Sequence, residues 1–381
     1  MAGLISRGDF PSYTRFLSLV ALLLAFALAG CSTAKRPAEK RSAPNWQSEE
    51  LTESTTFTNP PPAPSLPPTP SPPTATSSNR VNSTPLGQKW ISFETWSRDN
   101  GLGPIRQVAA KPARFTLSTP RGVLNLTAGN RVVEWDGMKI HLGYAPMVVA
   151  GELMVHTLDV QRNLSPAIKL PPAFRPPGRV VVIDPGHGGG NTGARSVYNG
   201  TFEKVYTLDW ALRLVQLLAA QGWQVHLTRT NDAELTLPDR VAFADRCQAD
   251  LFVSLHFNSA YPKQEEAGLE TYCLTPTGLP SNLIREFDDN VSQRFPNNAY
   301  DLQNFQLAMV LHRALLSVNG APDRGVRRAR FMGVLRGQKR PAVLLEGGYL
   351  SNPQEARQIA DPQHRQKLAE AVARALGAPG G

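Results

Sequence analysis

The sequence predicts an α/β protein, with a mostly parallel, twisted sheet covered by helices on both faces and a small β-rich domain on its N-terminal side. Two observations carry that prediction. From Arg179 onward, short unbroken apolar runs such as Val180–Ile183, Leu251–Val253 and Ala342–Leu345 alternate with longer stretches whose apolar residues recur every three or four positions. Unbroken apolar runs are strands buried on both faces, and strands alternating with helices build parallel sheets. Between Lys89 and Leu170, by contrast, short runs alternate apolar with polar residues and are divided by Pro120-Arg121-Gly122 and Asp136-Gly137, which is the texture of hairpins.

In chain order, residues 1–30 read as a targeting segment. Arg7 and Arg15 precede an apolar run from Phe16 to Leu28, too short to span a bilayer and the right length for a signal-peptide core. It ends in Leu28-Ala29-Gly30-Cys31. That ending resembles a bacterial lipobox, in which the cysteine is lipidated and becomes the first mature residue. The resemblance implies a lipoprotein held at the membrane through Cys31, facing the periplasm or cell wall, and sorted to the outer membrane if the cell has two. Residues 31–88 are dominated by Pro, Ser and Thr, centred on Asn59–Pro73. Proline fixes φ and removes amide donors, so this segment is expected to be an extended tether. About 55 residues at roughly 3 Å each reach on the order of 150 Å.

Residues 89–170 form the β-rich part. Candidate strands are Lys89–Phe93, Ala113–Ser118, Val123–Leu126, Arg131–Trp135 and Lys139–Leu142. The order strand, Trp135-Asp136-Gly137, strand, then Ala145-Pro146 and an apolar run to Leu158 is similar to the copper amine oxidase N-terminal-like stalk module. That resemblance rests on no chemical motif and implies neither catalysis nor copper binding. His141 and His156 read as half-buried structural residues. A second proline cluster at 171–178 marks a boundary. It leads to the expectation that few contacts cross it and that residues 179–381 fold alone.

In that last part, Arg179–Asp184 reads as a buried strand and Glu203–Ala220 as a helix ended by Gly222. A strand at Gln224–Arg229, a helix at Leu237–Gln248, strands at Ala249–Leu255 and Gly268–Cys273, and a helix at Asn304–Val318 follow. A strand at Ala342–Glu346 and two closing helices within Pro353–Leu376 complete it. Chemistry in such sheets gathers at the carboxyl ends of the strands. There the first strand runs into His187, the Leu251 strand into His256, and the Ala342 strand into Glu346, while Glu203 opens the helix after the His187 loop. A hydrolytic zinc site needs three nitrogen or oxygen ligands, an open position, and a carboxylate to take a proton from water. His187, Glu203 and His256 fit the ligands and Glu346 the base. Each residue alone has a structural reading: a helix N-terminal carboxylate, a core histidine, an arginine partner.

Several segments also follow one another in the order of a known family. They are Val181–Gly189, Phe202-Glu203-Lys204, Leu227–Arg229, Leu237–Arg240, Ala249–Asn258, Arg324-Gly325-Val326 and Leu345–Asn352. Together they resemble the zinc-dependent N-acetylmuramoyl-L-alanine amidases. The resemblance covers about Arg179 to Ala375. It implies one Zn2+ held by His187, Glu203 and His256, with Glu346 catalytic. It also implies cleavage of the amide between the lactyl group of muramic acid and the L-alanine of the stem peptide. Peptidoglycan is then the partner. Asn258 and Arg324 are candidate substrate contacts, and no activator protein can be read from the chain. One departure is Asn191, where the family often has Asp.

The residues by themselves leave open a zinc peptidase or deacetylase acting on another wall bond, or a lipid-anchored wall-binding protein. The net charge of +9 comes mainly from residues 1–178, with 18 Lys+Arg against 11 Asp+Glu; the remainder holds 22 against 20. No dense basic stripe is present, so nucleic acid is not an expected partner. The cluster Arg324, Arg327, Arg328, Arg330, Arg336, Lys339 and Arg340 reads as a solvated basic face or as a grip on stem-peptide carboxylates. The polar stretch Leu274–Gln303 reads as a groove wall or a lid, with a short helix at Leu283–Phe295. Cys247 and Cys273 are expected to be buried thiols.

Overall fold

The computed structural model describes residues 89–377 apart from 172, 284–288 and 319. Cys31, the leader and the tether expected at 31–88 lie outside the described residues. The described residues all fall in one compact unit, and no helix among them is long and apolar enough to cross a membrane.

The chain opens with β1 (Trp90–Ser92) and α1 (Phe93–Asp99), then forms a meander of β2 (Ile105–Ala110), β3 (Ala113–Thr119), β4 (Gly122–Thr127), β5 (Val132–Trp135) and β6 (Met138–His141). Each strand is antiparallel to the next. Asp136 and Gly137 join β5 to β6 with φ of 49° and 78°, the left-handed pair that a two-residue hairpin demands. Strands β7 (Met147–Val149) and β8 (Glu152–His156) form a separate small sheet with β1. Helical turns from Thr157 to Lys169 follow. Helix α1 is an addition to the expected strand pattern. Ser92 caps it by accepting from the Thr95 amide at 3.4 Å, and Phe93 and Trp96 turn into the core.

The second part contains β9 (Val180–Pro185), α2 (Glu203–Ala220), β10 (Gln224–Leu227), α3 (Leu237–Arg246), β11 (Leu251–Asn258) and β12 (Leu269–Cys273). It continues with α4 (Asp301–Leu316), β13 (Asp323–Arg328), α5 (Gly333–Arg336), β14 (Ala342–Tyr349), α6 (Pro353–Ala360) and α7 (Pro362–Leu376). The sheet order is β10-β9-β11-β14-β12-β13. The first four strands are mutually parallel, β12 runs against β14, and β13 follows β12. Successive strand residues go to opposite cores: Val181, Ile183, Val253 and Leu345 to one, Val182, Phe252 and Leu344 to the other. That division is the period of two expected of strands covered on both faces.

The boundary expected at 171–178 does not separate two bodies. β6 pairs with β13 at Ile140 and Val326, so one sheet of eleven strands runs through both parts. The Lys139 amide donates to Asp323 at 2.7 Å, and Arg328 donates to Asn163 at 2.9 Å and to the Arg162 carbonyl at 2.7 Å. Without β6, β13 would be an exposed edge with open backbone groups. His141 completes the seam with its Nε2 2.9 Å from the Arg324 carbonyl. Burial, together with nearby Arg327, lowers its pKa to about 4.

The direction of β12 also corrects two expectations. Because β12 is antiparallel to β14, the chain after Cys273 leaves the sheet at the edge where β14 begins, opposite to Glu346. Asn297 donates to the Arg340 carbonyl at 2.7 Å, Asn298 to the Thr275 carbonyl at 2.9 Å, and Asp289 pairs with Arg330. Residues 289–295 are not helical. The described part of this stretch packs the far edge rather than covering the strand ends that carry the histidines. The basic cluster divides likewise. Arg328, Arg330 and Arg340 are buried, and Arg330 donates to the carbonyls of Leu279 at 2.7 Å and Pro276 at 3.1 Å. These arginines tie chain segments together and are not a solvated face. Cys273 is buried with a free thiol, and Cys247 is half-buried.

Candidate metal centre

At the end of β9 the chain turns sharply, with φ of 62° at His187 and 135° at Gly188. A histidine adopts that left-handed conformation only where its surroundings impose it. Two buried arginines do so. Arg240 donates to the carbonyls of Pro185 at 2.9 Å and His187 at 2.8 Å, and Arg229 to those of Pro185 at 3.1 Å and Gly186 at 2.8 Å. Arg240 is held in turn by Asp184 at 2.6 Å, whose carboxylate also accepts from Thr228 and Ser254. Burial would raise the Asp184 carboxyl; Arg240 and the hydroxyl donors outweigh it and keep it below its ordinary range. Gly186 is required where it stands, because a Cβ there would lie 2.3 Å from the His256 ring.

Glu203, the first residue of α2, is 1% exposed. Its Oε1 lies 3.0 Å from His256 Nδ1 and accepts from the Phe257 amide at 3.0 Å. Its Oε2 lies 3.1 Å from His187 Nε2 and accepts from the Ala194 amide at 3.0 Å. Burial alone would raise this carboxyl, yet the two histidines hold it far below the usual carboxylate range. One donor atom from each of His187, Glu203 and His256 lies within 4.8 Å of the others. His187 Nδ1 is 2.7 Å from Asn191 Oδ1. An amide oxygen only accepts, so Nδ1 carries the proton and the Nε2 lone pair faces the cluster. Two imidazoles and one carboxylate, converged and with an oriented histidine, fit a divalent ion that favours nitrogen donors.

Glu346 enters through the sheet register. It pairs with His256 on β11 and with Glu270 on β12. Residues in register on neighbouring strands share a face about 4.8 Å apart, so His256, Glu346 and Glu270 form a row across three strands. Glu346 is half-buried and Glu270 is 1% exposed. Asn258 donates to Glu270 at 3.1 Å, Tyr349 at 3.0 Å and Arg324 at 2.6 Å; Tyr272 donates as well. The structure therefore brings together His187, Glu203 and His256, sets Glu346 beside them, and gathers Asn258 and Arg324 around a carboxylate that the sequence reading passed over. Asn191, Asp184 and Arg240 were missed as supports of His187. The only hint in the sequence was the spacing of Asn191, four residues after it.

The family model described as N-acetylmuramoyl-L-alanine amidase (Amidase_3) matches residues 181–378. The amidase AmiA of Escherichia coli K12 is 28% identical over 279 residues, covering 68% of this chain and 93% of AmiA. The probable cell wall amidase LytH of Staphylococcus epidermidis is 34% identical over 196 residues, covering 51% of this chain and 56% of LytH. Among solved structures, the catalytic domain of CwlV from Bacillus (Paenibacillus) polymyxa var. colistinus is 32% identical. That match covers 52% of this chain and 96% of CwlV, with a TM-score of 0.43. The family match spans 198 of the 381 residues and includes His187, Glu203, His256 and Glu346, so the chain belongs to the N-acetylmuramoyl-L-alanine amidase family.

Proposed function

We propose that the chain is a zinc-dependent amidase of peptidoglycan, cutting the bond between the lactyl carbonyl of N-acetylmuramic acid and the L-alanine of the stem peptide. The observation that carries this reading is the cluster itself: three converged ligands with Glu346 in register beside His256. His187, Glu203 and His256 would hold the ion and leave a position open. Zinc, when bound, polarises the amide carbonyl and makes a water acidic near neutral pH. Glu346 takes the proton from the attacking water and delivers it to the alanine nitrogen as the C–N bond breaks. Glu203 is unsuited to that task, because both of its oxygens already accept backbone amides.

Glu346→Gln is expected to retain zinc and fold while losing at least about a hundredfold in turnover, the usual scale for a general base. His187→Ala, Glu203→Ala and His256→Ala should lose zinc together with activity. Zinc stoichiometry, melting temperature and muropeptide cleavage measured on the same variants decide the matter. A zinc-replete Glu346→Gln enzyme with the parental rate would remove the base from the mechanism.

The apolar run and the Leu28–Cys31 ending support a further part of the proposal, that the enzyme is a lipoprotein anchored through Cys31. Cys31→Ala is expected to shift it from membrane to soluble fraction and abolish labelling by a fatty acid. Unlabelled parental protein in the soluble fraction would overturn the anchor.

A further inference from the structure

The residues around Glu270 form a second polar site on β12 and β13, beginning one strand from Glu346. Arg324, at the start of β13, donates from Nε to Glu270 and from Nη1 to Glu266, both at 2.6 Å. Its guanidinium lies over the Tyr349 ring, 5.0 Å from the centre. Its backbone is fixed from the N-terminal part, where His141 reaches its carbonyl. Gly325, with φ of 92°, allows that approach, since a Cβ there would lie 2.9 Å from the His141 ring. An arginine held on three sides in this way has one orientation.

The two carboxylates that Arg324 meets are not alike. Glu270 is 1% exposed and belongs to the interior, where Arg327 also approaches it at 3.6 Å. Glu266 is 32% exposed, and the Arg324 side chain is 27% exposed. Two arginines face one buried carboxylate, so one positive charge remains for the solvent side, and Glu266 is the group that meets it. An exposed ion pair of this kind contributes little and exchanges readily.

We propose that the outer face of Arg324 receives a carboxylate of the stem peptide, carried by an acidic residue next to the alanine, and that Glu266 holds this place until substrate displaces it. The inference rests on the amidase reading and names its specificity determinant. The geometry supports it. Arg324 stands two strands, roughly 10 Å, from Glu346, and an extended peptide advances about 3.4 Å per residue. A carboxylate one residue beyond the cleaved amide therefore falls within reach of the guanidinium. A planar guanidinium matches a carboxylate through two parallel hydrogen bonds.

The test uses the zinc-loaded enzyme and two soluble muropeptides that differ only at the residue after L-alanine, one with the free carboxylate and one with the carboxamide. The readout is the ratio of kcat/KM for acid over carboxamide. Arg324→Gln is expected to lower that ratio at least about tenfold, the scale of a lost charge-assisted hydrogen bond. Glu266→Gln is expected to raise the ratio severalfold, mainly through a lower KM for the acid, because it removes the competing anion without touching the buried network. A purely structural role for Arg324 would slow both substrates alike and leave both ratios at the parental value, which would overturn the proposal. If Arg324→Gln fails to fold, Glu266→Gln alone decides, and an unchanged or lowered ratio overturns it. Parental enzyme that cleaves neither muropeptide would instead defeat the amidase reading and this inference with it. Cleavage of both with unmoved ratios defeats this inference only.

Discussion

Asn191 accepts a hydrogen bond from His187 Nδ1 at 2.7 Å, so this amide sets which ring nitrogen is offered to a metal. In the sequence it was visible only as a departure from the family's Asp, with no task attached to it. Its structural task is measurable. Partners of metal-ligating histidines typically carry ten- to a hundredfold in metal affinity. Asn191→Ala is expected to weaken zinc retention by about that factor, while Asn191→Asp, whose carboxylate makes the imidazole more basic, should strengthen it severalfold. Competition against a chelator of known affinity checks both. Equal affinities in all three proteins would show that the bond does not govern the ligand. The other supports, Asp184 and Arg240, were unreadable for a related reason. A buried ion pair 56 residues apart in sequence leaves no periodicity, and only the fold shows that Arg240 ends on the carbonyl of His187.

Strand β13 shows what a sequence can hide at the next scale. Its residues Asp323–Arg328 include one apolar side chain, Val326, so no alternation marks it as a strand. It forms because its charges are absorbed laterally: Asp323 by the Lys139 amide and His312, Arg324 by Glu270, Arg328 by Asn163 and the Arg162 carbonyl. Those partners are remote in the chain, which is why the segment read as a basic surface. The buried parallel strands and α2 were legible, because apolar runs and three-to-four spacing survive without context; the observed α2 begins at Glu203 as expected. A Cβ at Gly325 would meet β6 at the His141 ring, 2.9 Å away, and at the Lys139 carbonyl, 3.0 Å away. Gly325→Ala is expected to lower stability by about 1–3 kcal/mol, since it combines a positive φ with a clash against His141 and the Lys139 carbonyl. Denaturant unfolding measures this. A loss below about half a kcal/mol would mean that the seam yields easily.

For the whole molecule, the eleven-stranded sheet argues against residues 179–381 folding alone as a free-standing enzyme. Cut at the proline cluster, that fragment would expose the β13 edge and leave Arg328 without Asn163 and the Arg162 carbonyl, a costly loss for a buried charge. The fragment 179–381 is expected to aggregate, or to melt at least about 5 °C below the fragment 89–381, given that 1 kcal/mol shifts a chain of this size by roughly 2–4 °C. Size-exclusion chromatography and thermal melts of the two fragments test this, and equal melting temperatures would restore two independent bodies. One consequence of the shared sheet reaches beyond stability. Parts joined by one hydrogen-bonded ladder do not swivel, so the catalytic cleft keeps a constant bearing relative to the β2–β6 meander. Whatever aims this enzyme at a glycan strand must turn the entire head, as one turns a tool by its handle, and a grip on the N-terminal meander would steer the cutting edge directly.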